Sequence, residues 1–424
     1  MAPAGQTGPR VTAPATRPAA TVTGLPPRFW LLFAGRTVSV LGNAFGPIAI
    51  AFGVLALPGA TPATLSAVLA AQTVPQLALL LFGGVVGDRF PRYRVLVAAE
   101  LLSGLAYAGL AAMLLSGWAP LPALAACAFV SGTASALLLP SLSGAVAEAA
   151  GRDRLQQANG CLRLGANAAR VAGLAGAGAT VALLGPGVAL ALDAATYFLA
   201  AALLGLVRLP PAARTRSRSV IGDLGRGWRE FTSRPWLWST VAAAAFINVA
   251  STAGFGMLGP VVARERLGGP VAWSAVMTGY ALGMMAGVAV ALRLRPRRPV
   301  AAALLATPFL ALPLLTLGLG APLAVTAVAA FASGVALDVF GVLWETTVQR
   351  EVPQESLSRV NSYEHLVAHS LQPVGVMAAG WAAHGLGPQP TLLVLGSMMI
   401  VAGLAVLALP AVRDLTADDE GAQP

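Results

Sequence analysis

Long apolar stretches alternate with short polar ones from residue 29 to residue 410. Twelve can be counted, and each comes near the roughly 20 residues that cross a hydrocarbon layer of about 30 Å at 1.5 Å per residue. Runs of this length, repeated this often, predict an all-α integral membrane protein with 12 transmembrane helices. Ala, Leu, Val and Gly fill most positions within each stretch. Periodicity therefore separates no lipid-facing side from an inward-facing one.

The polar intervals are short except for one. Arg208 to Pro235 carries a Pro-Pro pair and an Arg-Ser-Arg-Ser run, and then Val220, Ile221, Leu224, Trp228 and Phe231 recur at helical spacing. That spacing predicts an amphipathic helix lying on the membrane surface. The chain accordingly divides into a disordered cytoplasmic tail (1–27), an N-terminal six-helix bundle (28–208), a cytoplasmic linker (209–235), a C-terminal six-helix bundle (236–410) and a second cytoplasmic tail (411–424). The halves also look related. Asp153, Leu155 and Asn159 before the fifth stretch match Glu355, Leu357 and Asn361 before the eleventh, at an offset of 202 residues. Two pseudo-symmetric six-helix bundles with a site between them follow as the expected plan.

Composition closes off other classes. With 57% hydrophobic and 10% charged residues the chain is too apolar for an ordinary water-soluble domain. All 27 basic residues are Arg. Twenty-two of them fall in the first tail, the even-to-odd connections and the last tail, Arg264 and Arg266 fall on the other side, and Arg36, Arg163 and Arg170 lie within apolar stretches. This bias places both termini in the cytoplasm of a multi-pass inner (plasma) membrane protein and explains the net charge of +10 without nucleic acid. The absence of Lys excludes a phosphate-binding loop and hence ATP-driven transport by this polypeptide. Cys127 and Cys161 have no metal-ligand spacing, and neither a cofactor, a metal nor an enzymatic activity is expected.

The charge-dense link Gly84-Val85-Val86-Gly87-Asp88-Arg89-Phe90-Pro91-Arg92-Tyr93-Arg94 follows the second stretch. It resembles the loop between the second and third helices of the major facilitator superfamily, with Pro91 where the family usually has Gly. Further stretches are similar to the third subgroup of drug-proton antiporters: Phe33 to Asn43, Val74-Pro75-Gln76, Asp193-Ala194-Ala195-Thr196-Tyr197-Phe198, Gln349 to Pro353 and Arg359 to Glu364. The resemblance implies the fold of that superfamily and a gating role for Gly84, Asp88, Arg89, Arg92 and Arg94. It also implies proton-coupled efflux of a small amphipathic molecule such as a drug, antibiotic or secondary metabolite, by alternating access. The alternatives are a metabolite importer or uniporter, or a non-transporting membrane sensor or scaffold of the same fold. Small-molecule substrate, protons and the lipid bilayer are the expected partners, and a monomer the expected unit.

Charges inside the bilayer cost at least roughly 2.5–3.5 kcal/mol each on insertion scales, so each marks a partner or a cavity. Arg36, Arg170, Asp193, Asp338 and Glu345 are the candidates for proton or substrate coupling. Asp338 and Glu345 are seven apart and share a helix face, which with Asn248 and Gln372 would line a polar cavity. Asp338 reads equally as a proton carrier or as an ion-pair partner of Arg36 or Arg170, while Asp193 and Glu100 read as paired. Glu364 reads as a cap of the eleventh helix. His365 and His369, one turn apart, read as polar residues at a helix entrance sooner than as a metal pair.

Overall fold

A computed structural model describes residues 24–89, 91–151, 154–207 and 228–416. Spans are numbered 1 to 12 in chain order. Span 1 is Pro27–Asn43 continued by Gly46–Leu55; spans 2 to 6 are Pro62–Arg89, Arg92–Ser116, Leu121–Ala150, Leu155–Leu184 and Pro186–Gly205. Span 7 runs from Pro235–Ser251 through π-helical turns at Thr252–Leu258 and Ala263–Leu267, and span 8 is Pro270–Ala291. Span 9 is Pro299–Leu304 with Thr307–Gly318, span 10 is Leu323–Glu351, span 11 is Gln354–Ser370 with Gln372–Leu386, and span 12 is Pro388–Leu407. Ten helical stretches among the described residues are long and apolar enough to cross a bilayer. Span 2 and the two segments of span 11 complete the 12. Together they form an all-α membrane fold of two six-helix bundles.

Proline starts many of these helices. Pro27, Pro186, Pro235, Pro270, Pro299 and Pro388 stand at their first turns, where a missing N–H costs no hydrogen bond. Glycine makes the turns on the face opposite the Arg-rich connections. Every connection there carries a residue of positive φ: Gly59, Gly117, Gly185, Gly268 and Gly269, Gly320, and Gly387. Gly185 (φ 87, ψ 161) precedes Pro186, and Gly387 (φ 92, ψ 156) precedes Pro388. These two turns lie 202 residues apart, the same offset as Asn159 and Asn361. The repeat thus extends to backbone conformation.

Close helix approach fixes each bundle. A Cβ on Gly283 of span 8 would stand 2.1 Å from the Phe331 carbonyl oxygen of span 10, and one on Gly334 of span 10 would stand 2.1 Å from that of Tyr280. The two backbones are in direct contact, as small residues permit in lipid. Between the halves, span 5 packs on span 8 and span 2 on span 11.

The core differs between the two faces. Toward the glycine turns one apolar cluster runs through both halves, from Ile48, Leu65, Leu110, Leu174 and Leu190 to Met257, Leu258, Val276, Leu314 and Leu392. Toward the Arg-rich connections the clusters are separate. Phe29, Leu32, Leu96, Val146 and Leu204 form one in the N-terminal half, while Leu237, Val300, Leu304, Trp344 and Val360 form another in the C-terminal half. Among the described residues the buried core is therefore shared between the halves at the glycine-turn face and divided at the other.

Candidate functional site

Joining at the glycine-turn face is specific. Arg264 at the end of span 7 donates to the Leu55 carbonyl at the end of span 1, and the Ser274 hydroxyl of span 8 donates to the Leu174 carbonyl of span 5. Gly178 of span 5 sits so near span 8 that a Cβ there would lie 2.5 Å from the Pro270 carbonyl oxygen. Below this closure a cavity of about 200 Å³ opens between spans 5, 8 and 10. Arg163, Asn167 and Arg170 line it from one face of span 5, Met284 and Met285 from span 8, and Asp338 from span 10. The spacing of four and three residues brings the polar groups of span 5 into a single stripe. Asp338 is half-buried, faces the Arg170 and Arg163 charges, and forms no ion pair within 4 Å among the described residues. Such a wall, apolar with two cations and one carboxyl, can hold an amphipathic molecule by its polar end.

A second group of polar residues lies inside the N-terminal half, away from the cavity. Glu100 of span 3 is 1% exposed and accepts a hydrogen bond from the Ser39 hydroxyl at 3.0 Å. Arg36, one turn before Ser39, acts on it through space. Asp193 of span 6 is fully buried, and neither of its side-chain oxygens has a hydrogen-bond partner among the described residues. The Thr196 hydroxyl beside it donates instead to the Asp193 backbone carbonyl at 2.7 Å. Tyr197 donates to the Asn43 side-chain oxygen at 3.1 Å and packs its ring 5.3 Å from that of Tyr107. Gln72 of span 2 stands beside the Tyr107 hydroxyl and donates to Ser131 of span 4 at 3.1 Å.

The sequence-derived candidates are thus divided between two places. Arg36 faces Glu100 and Tyr197, whereas Asp338 faces the cavity; Arg170 stands between them and acts on both. Asn248 and Gln372 do not join Asp338. Asn248 donates to the Ala368 carbonyl at 3.0 Å and Gln372 to the Thr252 hydroxyl at 3.1 Å, so both tie span 7 to span 11. Glu345 is exposed near the Arg-rich end of span 10. Glu364 is no cap, because span 11 already begins at Gln354; it accepts the indole N–H of Trp344. The rings of His365 and His369 stack at 6.1 Å, and among the described residues no group of three or more His, Cys, Asp or Glu is placed to hold a metal ion.

Of the charge-dense link, Arg94 donates to the Tyr93 hydroxyl at 3.1 Å, while the side chains of Gly84, Asp88, Arg89 and Arg92 lie outside the described residues. The same holds for 1–23, for most of the linker (208–227) and for 417–424. Residues 228–232 are helical, and Trp228 and Phe231 pack on Tyr363 of span 11 with ring centroids 5.4 and 6.4 Å away. Asn167, Tyr107 and Gln72 were not singled out from sequence. An uncharged polar residue deep in an apolar run is the signal that finds each of them.

Comparison with known proteins agrees with this architecture. A family model described as the Major Facilitator Superfamily matches residues 29–370. The multidrug efflux pump Tap of Mycobacterium tuberculosis is 26% identical over 405 residues, covering 92% of this chain and 94% of that protein. An uncharacterized MFS-type transporter of Bacillus subtilis, YvqJ, is 22% identical over 299 residues, covering 69% and 71%. Among solved structures, the nucleoside transporter NupG superposes with a TM-score of 0.72 at 12% identity, covering 90% of this chain and 99% of its own. A bacterial homolog of the human lysosomal transporter Spinster, in an inward-facing and unoccupied conformation, gives 0.68 at 16% identity, covering 93% and 100%.

Proposed function

The chain belongs to the major facilitator superfamily of membrane transporters, and from that membership we propose that it exports a small amphipathic molecule in exchange for protons by alternating access. The observation that carries this reading is the contrast between one continuous core at the glycine-turn face and separate cores at the Arg-rich face. Two rigid bundles that touch at one end and part at the other are one of the two states such a cycle needs. With the Arg-rich connections in the cytoplasm, as the positive-inside bias requires, this is the inward-facing state. The name of the Tap relative supports export, and the wall of Arg163, Arg170, Asp338, Met284 and Met285 supports an amphipathic cargo.

Within this reading residues 28–208 and 236–410 are the moving bundles and 209–235 their cytoplasmic link. Gly84, Asp88, Arg89, Arg92 and Arg94 tie the bundles when the cytoplasmic side shuts, and Arg170 with Asp338 grips the cargo. The working unit is a monomer that needs neither nucleic acid nor cofactor. The test uses purified full-length protein in liposomes. Ethidium or erythromycin should be driven against its gradient when a pH difference is imposed, and should equilibrate when an uncoupler collapses that difference. Rates that ignore the pH difference for both compounds would reject proton-coupled export of this class of cargo.

A further inference from the structure

The Arg-rich face of the C-terminal half holds an opening that the transport reading does not use. A cavity of about 630 Å³ lies between the connection of spans 8 and 9, the end of span 10 and the chain that follows span 12. Arg295 and Arg297 line it from the connection, Arg350 and Glu351 from span 10, and Leu415 and Thr416 from the last described residues. Among the described residues none of the three arginines forms an ion pair. Three guanidinium groups against one carboxylate leave the wall with a surplus of positive charge, and each planar guanidinium offers paired N–H donors that match a carboxylate. The wall therefore suits an anion.

The chain itself brings anions to the edge of this cavity. After span 12 the turn Pro410–Arg413 is seated on the bundle by Val412, which is fully buried. Asp414 then stands 4.0 Å from Arg298 and 3.3 Å from Arg413, and Leu415 packs against the core cluster that contains Leu237 and Trp344. These contacts lead the chain to the cavity wall at Thr416. The next carboxyl groups belong to Asp418, Asp419 and Glu420, two to four residues on, and residues 417–424 contain no base. Two to four extended residues reach about 7–14 Å, enough to cross the opening. The connection has no acid of its own to offer. Where the link between spans 2 and 3 carries Asp88 among its arginines, the link between spans 8 and 9 has Arg293, Arg295, Arg297 and Arg298 and no carboxylate.

We propose that the acidic segment Asp418-Asp419-Glu420 docks in this cavity and pairs with Arg295, Arg297 and Arg350. Docked there, it straps the connection of spans 8 and 9 to the ends of spans 10 and 12 and offsets the mutual repulsion of the arginines at this end of the bundle. A water-exposed ion pair is weak alone, so the strap depends on several pairs at once and loosens as salt screens them. Neither the cargo nor the coupled ion enters the argument, and the strap stands or falls apart from the transport reading.

The test uses the full-length protein with Cys127 and Cys161 replaced by Ser and a nitroxide attached through Ala422→Cys. In detergent at low salt its spectrum should show a slow, immobilised population. Sodium chloride at about 1 M, where the screening length falls to about 3 Å, should convert most of that population to the mobile form. Asp418→Asn, Asp419→Asn and Glu420→Gln together should do the same at low salt. Arg297→Glu and Asp419→Arg should each enlarge the mobile fraction severalfold, and the two combined should restore much of the slow population, which a general change of charge does not do. In vesicles of phosphatidylcholine, with or without phosphatidylglycerol, the slow population should persist. A label that is mobile at low salt with the acids intact, or a slow population indifferent to their neutralisation, overturns the proposal. A slow population that is present in phosphatidylcholine and lost on adding phosphatidylglycerol also overturns it, and gives the cavity to a lipid phosphate instead.

Discussion

Gly178 offers a direct test of the two-state geometry. Its side-chain position meets Ser274 at 2.3 Å and the Pro270 carbonyl at 2.5 Å, across the closed contact between the halves. Carbon atoms in ordinary contact stand about 3.5–4.0 Å apart, so a methyl group there forces spans 5 and 8 about 1 Å farther apart at this point. Overpacking of that kind costs about 1–3 kcal/mol, and the Ser274 to Leu174 hydrogen bond, worth about 1 kcal/mol, is strained with it. In the opposite state, with this face open, the methyl group meets nothing. The penalty therefore falls on one state alone, and a difference of about 2 kcal/mol shifts the equilibrium between them about thirtyfold. Spin labels at Ser116 and Ala324, exposed on either half at the glycine-turn face, would follow this in a background lacking Cys127 and Cys161. Gly178→Ala should move the label distances toward a longer population without unfolding the protein. An unchanged distance distribution, with unchanged melting temperature, would refute the assignment of Gly178 to a contact that opens.

The same logic predicts a contrasting outcome inside one bundle. Gly334→Ala collides with the Tyr280 carbonyl in either state, so it should lower the melting temperature and leave the label distances of the surviving protein where they were. Arg170→Ala removes a cation facing Asp338 and should raise the half-saturating cargo concentration about tenfold, read from ligand-dependent thermal shifts, since a charge-assisted contact is worth about 1.5–3 kcal/mol. Trp344→Phe leaves Glu364 without its indole donor and should lower stability by about 1–3 kcal/mol, measured by thermal unfolding in detergent. Single cysteines at Ser233 and Leu319 should react with an impermeant maleimide from opposite sides of the membrane; labelling from one side would overturn the span count.

Much of the fold was legible because lipid demands length. An uninterrupted apolar run has few fates other than a helix across the bilayer, and arginine sorts to one side by its own cost of transfer. The break in span 1 was less visible, although Gly46-Pro47 marks it: a proline without an N–H fits the first turn of a new helix better than the middle of an old one. Side-chain partners were harder still. Asp338 reads from sequence as a proton carrier or as a partner of Arg36 or Arg170; it faces Arg170 across the cavity while Arg36 faces Glu100, and depth says nothing about which helices are neighbours. Asp193 reads as ion-paired because buried charge usually is, whereas among the described residues its carboxyl oxygens have neither an ion-pair nor a hydrogen-bond partner. Where lipid and protein interior are equally apolar, the local pattern cannot reveal which face of a helix looks inward. That information lies in contacts between distant segments.

The recurrence of one Gly-Pro corner at Gly185 and Gly387, at the spacing of the paired asparagines, has a bearing on ancestry. A unit that crosses an even number of times enters and leaves on the same side, so two copies of its gene can be fused end to end with a simple tether and no additional crossing. The ancestral unit would have associated with a parallel copy of itself. Fusion then freed each copy to drift separately: the first has gathered Glu100 and Asp193 in its interior, while the second contributes Asp338 to the shared opening.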